Sequence, residues 1–201
     1  MNEQNEHTQP ALSDEERDVI RACQAGDDFA FERLYRLYSG QVFSIAMRLT
    51  GSQPEAEEVT QEVFVSVYKN IHRFEFQSAF STWLYRIVVR RAADSFRKVK
   101  KHIINRISMD SDEHAPVYSL ADKGRTPHEA LVDSQSENTL ERAIQKLGAK
   151  HRTIVVLRYV QDLSYEDIAQ VLEFRIGAVK SRLNRAHKLL KQHLEEMDYK
   201  A

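Results

Sequence analysis

The chain of 201 residues has little of what stiffens a small or turn-rich scaffold: one cysteine (Cys23), six glycines, four prolines and one tryptophan (Trp83). A single thiol forms no intramolecular disulfide, which fits a reducing compartment. Few Gly and Pro residues favour long helices over a β fold with many turns. No apolar run approaches the ~20 residues that a membrane helix needs. The first residues are polar and acidic, without the apolar centre of a secretion signal. The expected location is therefore the cytoplasm, with no membrane insertion. The eight histidines are scattered and show no Cys/His ligand spacing, so neither metal nor cofactor is expected. No nucleophile–base pair or phosphate loop is evident, and no enzyme is expected.

Net charge is also nearly absent, at −1, but its distribution is uneven. Residues 1–30 carry Glu3, Glu6, Asp14, Glu15, Glu16, Asp27 and Asp28 against Arg17 and Arg21. The balance reverses with Arg86, Arg90, Arg91, Arg97, Lys98, Lys100, Lys101 and Arg106, which face one acid, Asp94. A second basic block, Arg175 to Lys191, has no acid. Two such blocks on a near-neutral chain point to two separate anionic contacts. With 42% hydrophobic and 29% charged residues the chain can build a packed core.

The periodicity predicts an all-α fold: two small helical domains joined by a flexible acidic linker, the second carrying a helix-turn-helix. Residues 1–12 read as a disordered tail, 13–106 as the first domain, 107–133 as the linker and 134–201 as the second domain. Ser13 or Asp14 caps a helix that ends at Gly26, and Asp27 or Asp28 starts a longer one that stops at Gly51. Ser52 with Glu55 has the spacing of a capping box, and Pro54 sits near the first turn. The core stripe of that helix is Ala56, Val59, Val63, Val67 and Tyr68; Glu57, Glu58, Gln61 and Glu62 lie on its other face. Residues 71–78 break the period as a loop. A helix over 79–98, roughly 30 Å long, buries Phe80, Trp83, Leu84, Ile87 and Val88. The acidic stretch 107–133 loses the pattern. Ser134 with Glu137 starts the next helix, whose apolar face is Leu140, Ala143, Ile144 and Leu147. A second runs over 149–159, and a third starts at Ser164. A turn of Glu173, Phe174 and Arg175 leads into a long helix from Ile176. No strand is needed.

Residues 165–184 have the anatomy of a helix-turn-helix. Ala169 is small where two helices cross, Ile168 and Leu172 face inward, and Val179, Leu183, Ala186 and Leu190 form the inner stripe of the second helix. Lys180, Ser181, Asn184, Arg185 and Lys188 then face outward. Basic and amide side chains on one helix face suit the major groove.

The segments LSYEDIAQVL (163–172) and IGAVKSRLNRA (176–186) closely resemble the C-terminal domain of extracytoplasmic-function (ECF) sigma factors. AEEVTQEVF (56–64) looks like the core-polymerase-binding helix of that family, and FSTWLYRI (80–87) like the start of its −10-engaging helix. The resemblance runs over about residues 14–194. It implies a chain that binds core RNA polymerase and directs promoter-specific transcription initiation, with promoter DNA and an anti-sigma factor as further partners. By resemblance Glu58, Gln61 and Glu62 dock on polymerase. Arg73, Phe74, Phe76, Arg86, Arg90 and Arg91 contact the −10 element; of these, Phe74 lies at the position that lines a flipped-base pocket, with a core plug as the other reading of these aromatics. Arg175, Ala178, Lys180, Ser181, Arg182, Asn184, Arg185 and Lys188 contact the −35 element. The linker is either an RNA mimic in the polymerase or a plain tether. Two residues depart from the pattern: Arg90 stands where many members carry Asn, and Glu173 where many such turns carry Gly. The alternative is a conventional helix-turn-helix repressor or activator, which accounts for the last third of the chain but not for the acidic helix or the aromatic loop.

Overall fold

The computed structural model describes residues 13–109 and 134–198, without the side chains of 99–109, 134–138 and 198. The expected tail, most of the linker and the Ser134–Glu137 capping box lie outside the described residues or side chains. The described chain is helical, and no strand occurs among the described residues.

Four helices make the N-terminal half. Helix α1 (Asp14–Gln24) is capped by Ser13, whose hydroxyl accepts from the Glu16 amide at 3.1 Å. Helix α2 (Asp28–Thr50) is capped by Asp27, whose Oδ1 accepts from Phe29 and Ala30 amides. Gly51 ends α2 in the left-handed conformation, φ 74°. That backbone position favours glycine, and a Cβ there would also have to displace the end of the Gln145 side chain, whose Oε1 lies 2.7 Å away. Helix α3 (Gln53–Asn70) lies beside α2, and a 3-10 turn (Ile71–Arg73) leads through a loop to α4 (Phe80–Met109). Helix α4 therefore continues beyond residue 98, into the segment expected to lose helical character. Val42, Ile45, Val59, Val63, Val67, Leu84 and Val88 are all fully buried where α2, α3 and α4 meet.

Two local expectations are corrected. Ser52 makes no side-chain cap of α3. Pro54 removes one of the amides it would cap, and the Thr50 hydroxyl engages the Ser52 backbone instead. Tyr68, read as core, is 57% exposed; its ring edges Phe31 and its hydroxyl donates to Asp28 at 3.2 Å.

The C-terminal half holds α5 (Ser134–Lys146), α6 (Ala149–Val155), α7 (Tyr165–Leu172) and α8 (Ile176–Asp198). Leu140, expected on the inner face of α5, is exposed, whereas Ala143, Ile144 and Leu147 are buried as expected. The helix read over 149–159 widens into a π turn at Val156–Val160. There Gln161 N donates five residues back to Val156 O, and Arg158 donates to Leu163 O at 2.8 Å, which ties the end of that turn to the entry of α7.

The halves pack together rather than hanging on a tether, and their buried side chains form one continuous cluster. Arg152 of α6 is a clasp between them. Its guanidinium donates to Leu49 O at 2.9 Å, to Leu147 O at 3.1 Å and to Gln145 O. These carbonyls lie at helix C-termini, where no intrahelical donor remains. Burial pushes the Arg152 pKa down from its ordinary value. Arg48 adds an ion pair to Glu141 at 2.7 Å, and Gln145 donates to Arg48 O. Arg152→Ala strands these carbonyls and is expected to lower unfolding free energy by roughly 2–3 kcal/mol. Urea unfolding measures this, and Arg152→Lys should recover only part, because an ammonium cannot fork.

Candidate functional site

The helix-turn-helix is built from local rules. Ser164 caps α7: its hydroxyl accepts from the Asp167 amide at 3.0 Å and donates to Asp167 Oδ2 at 2.6 Å. Ile168 and Ala169 are buried against α8, which returns Val179, Leu183 and Ala186 to the same core. The turn is closed by Glu173 in the left-handed region, φ 56° and ψ 42°, with Phe174 N donating to Ala169 O at 2.9 Å. A non-glycine residue there costs roughly 1–2 kcal/mol. Part of that is offset by the Arg182 guanidinium, 3.9 Å above the Phe174 ring.

On α8 and its entry, Arg175, Lys180, Ser181, Asn184, Arg185 and Lys188 are exposed together. Ala178 and Arg182 are half-buried. Arg182 is thus engaged with the turn, while Lys180 has its ammonium 5.7 Å from the Tyr165 ring centroid.

The arginines of α4 do not share one environment. Arg91 is half-buried against α3 and reaches Ser66 Oγ at 3.4 Å. Arg86 donates to Gln170 O of α7 at 2.8 Å. Arg90 pairs with Glu173. The two departures from the family pattern are therefore partners of each other, 83 residues apart in sequence.

The loop before α4 packs its aromatics on one another. Phe74 is 4% exposed, with ring centroids 4.9 Å from Phe76, 5.3 Å from Phe80 and 5.7 Å from Trp83. Of the two readings left open for Phe74, this conformation takes the core plug, and a base reaches the ring only if the loop moves. Phe76 is half-buried at φ 59°, beside the Arg21 guanidinium. Arg73 is exposed. Sequence reasoning missed Gln24, whose amide donates to Ile71 O at 3.0 Å and Phe74 O at 2.8 Å and so fixes the loop on α1. A glutamine at the end of an amphipathic helix carries no pattern that predicts this.

On α3, Glu58 and Gln61 are exposed and Glu62 is half-buried. Lys98 of α4 lies 2.9 Å from Glu62 and 3.6 Å from Glu58, and the hydrogen bond to Glu62 raises its pKa. Burial, then the charge of Glu58, raises the pKa of Glu55. Exposed Val65 and Tyr68 continue this surface as an apolar patch. Cys23 is buried, which pushes its thiol up to about 11, unsuited to nucleophilic chemistry. Among the described residues no group of three or more His, Cys, Asp or Glu could hold a metal, and no helix is long and apolar enough to cross a membrane.

Comparison with known proteins gives the arrangement its family. Residues 34–102 match the sigma-70 region 2 model and 137–190 the sigma-70 region 4 model. The chain is 33% identical over 179 residues to the ECF RNA polymerase sigma factor SigW of Bacillus subtilis, covering 89% of this chain and 96% of that one. It is 32% identical over 193 residues to the RNA polymerase sigma-H factor of Pseudomonas aeruginosa, covering 92% and 96%. The fold is also that of the sigma factor RpoE of Bartonella quintana, solved with the anti-sigma factor NepR (TM-score 0.64, 22% identity, 82% and 96% covered). It matches CnrH, solved with the cytosolic domain of CnrY, as well (TM-score 0.61, 21% identity, 90% and 97% covered). The chain belongs to the ECF family of RNA polymerase sigma factors.

The Ser164 cap fixes the first turn of α7. Ser164→Ala is expected to cost about 1 kcal/mol. Thermal unfolding should show a lower midpoint, and Ser164→Asp should retain most of the stability.

Proposed function

We propose that this chain joins core RNA polymerase, recruits it to a defined set of promoters and takes no covalent part in the chemistry. Its family makes it a sigma factor that directs promoter-specific initiation. The observation that carries the assignment of labour is the presence, in one chain, of an acidic helix, a cationic helix and a helix-turn-helix.

Each has a role that its chemistry supports. Glu58, Gln61 and Glu62 of α3 form a carboxylate and amide face for basic groups on polymerase, and Val65 and Tyr68 beside them add apolar area. Arg73, Arg86, Arg90 and Arg91, with Phe76 and a displaced Phe74, hold the opened −10 strand by charge and stacking. Arg175, Ala178, Lys180, Ser181, Arg182, Asn184, Arg185 and Lys188 face the −35 duplex in the major groove. We assign these roles to residues 13–106 and 134–201, with 107–133 between them. The protein acts where polymerase acts, in the bacterial cytoplasm. An anti-sigma factor is the regulator we assign, as the structural neighbour RpoE of Bartonella quintana was solved with one.

A repressor or activator that binds duplex DNA alone leaves the region 2 match over 34–102 without a use. Run-off transcription with purified core polymerase separates the two readings: initiation from particular promoters should require both this chain and core. Tight duplex binding that does not change with polymerase, and no transcripts, would sink the proposal. On a promoter so identified, Lys180→Ala or Arg185→Ala should weaken binding by roughly 1–3 kcal/mol if a base edge is lost. A lost phosphate contact would instead lower the salt slope by about one. Affinity for core polymerase should not change in either variant.

A further inference from the structure

Phe76 holds a backbone that few bulky side chains adopt. Its φ of 59° lies in the left-handed region, where a Cβ crowds the following carbonyl. Glycine or asparagine enters that region more easily. Strain of this kind concentrates at ligand clamps and switch regions. Here its effect is to set the position of an aromatic ring. Phe74 packs against that ring, with centroids 4.9 Å apart and planes at 55°. The Arg21 guanidinium stands over it, with its carbon 5.8 Å from the centroid. Phe76 is half-buried and Arg21 is exposed, so the aromatic is held while the cation can move.

Helix α1 sets this pair from one rigid element. Gln24 pins the segment before Phe76 by donating to Ile71 O at 3.0 Å and to Phe74 O at 2.8 Å. Arg21 lies one turn earlier on the same helix. The pin and the cation therefore keep a fixed relation to the ring. Charge around the pair also suits a nucleic-acid strand. His72 and Arg73 are exposed in the turn before Phe76, and Glu75 accepts from the Gln77 amide at 3.0 Å. The acids of the first turn of α1, Asp14, Glu15 and Glu16, lie at its other end.

A base stacked between two planes needs them roughly 7 Å apart, twice a carbon–carbon contact of about 3.5 Å. The guanidinium is thus only about 1 Å too close, and an exposed arginine withdraws that far by changing its side-chain torsions. Phe74 is different, because its ring must leave the core before a base can reach it. We infer that Arg21 and Phe76 form a stacking clamp for one unpaired nucleobase of the −10 strand, held between guanidinium and ring. The clamp is a second place for a base and needs no displacement of Phe74. It deepens the sigma-factor reading and rests on it, since that reading brings the opened strand to this loop. Arg21 thereby joins the DNA-binding residues from a helix that the sequence pattern left unassigned.

The test uses the full chain assembled with core polymerase. Its probe is a fluorescent single strand carrying the −10 sequence of a promoter that the wild type transcribes. Phe76→Gly accepts the left-handed backbone, so the loop keeps its path without the ring. It should weaken strand binding by about five-fold or more, the equivalent of about 1 kcal/mol of stacking. Phe76→Asn should behave in the same way, and Phe76→Tyr should retain wild-type binding. Arg21→Ala should weaken binding by roughly two- to five-fold. Arg21→Lys should do nearly the same, because an ammonium has no plane to stack on a base. Abasic substitution along the strand locates the captured base. At one position it should cost the wild type about five-fold or more, and cost Phe76→Gly nothing further. Wild-type binding by Phe76→Gly, or abasic losses that add to its own at every position, would overturn the clamp. Full binding by Arg21→Lys would make Arg21 a phosphate contact and overturn the sandwich. Failure of the sigma-factor reading is distinguishable: a wild type that supports no run-off transcription sinks that reading and the clamp together, whereas the results above sink the clamp in a chain that still transcribes.

Discussion

The cationic face of α4 needs a negative partner, and most of the arrangement follows from how that need is met. Its opposite face is committed to the core through Leu84, Val88 and Ala92, so the helix cannot turn its arginines away. Among the described side chains, several of these charges are answered close by. Lys98 goes to Glu58 and Glu62 of α3, Arg97 to Asp94 of α4 itself, Arg86 to the Gln170 carbonyl of α7 and Arg90 to Glu173 in the turn after α7. Most of these pairs are exposed and individually weak, which makes them exchangeable. A phosphate backbone or an acidic protein surface offers the same arginines the same kind of partner.

The docking helix obeys the same logic from the other side. Its inner stripe, Ala56, Val59, Val63 and Val67, is fully buried, and this fixes α3 on α2 and α4. Its acids then have to face outward, where only Lys98 of the described residues compensates Glu58 and Glu62. The hydrogen bond from Lys98 to Glu62, and the charges of Glu62 and Glu58, raise the Lys98 pKa and register that pairing. A basic surface on a partner competes with it, and so the docking face and the DNA face are linked through Lys98.

Much of this was legible in the sequence, for physical reasons that can be named. Helical periodicity found the helices, because burial of one face is what the pattern encodes. Gly51 and the Ser164 cap are short-range devices, and their chemistry is visible in three or four residues. Ser52 looked alike and failed, since Pro54 takes away an amide and Thr50 competes for the backbone. Tyr68 and Leu140 fall on the apolar period yet remain exposed, as periodicity does not say where a stripe ends. The π turn at Val156–Val160 has no period of its own to read. Contacts between the halves were beyond reach: Arg152 to Leu49 spans 103 residues and Arg90 to Glu173 spans 83, and neither pair has a spacing signal. Even so, the sequence marked Arg90 and Glu173 as the two residues out of pattern.

Exchange of partners on α4 is the central claim, and one measurement addresses it most directly. The separation of α4 from α7 should be determined for this chain assembled with core polymerase on promoter DNA, by electron cryomicroscopy. Arg86 and Arg90 are expected to lie against the −10 strand, with α7 removed by roughly the length of the promoter spacer. An assembled complex in which Arg90 still pairs with Glu173 and α7 still covers α4 would contradict it.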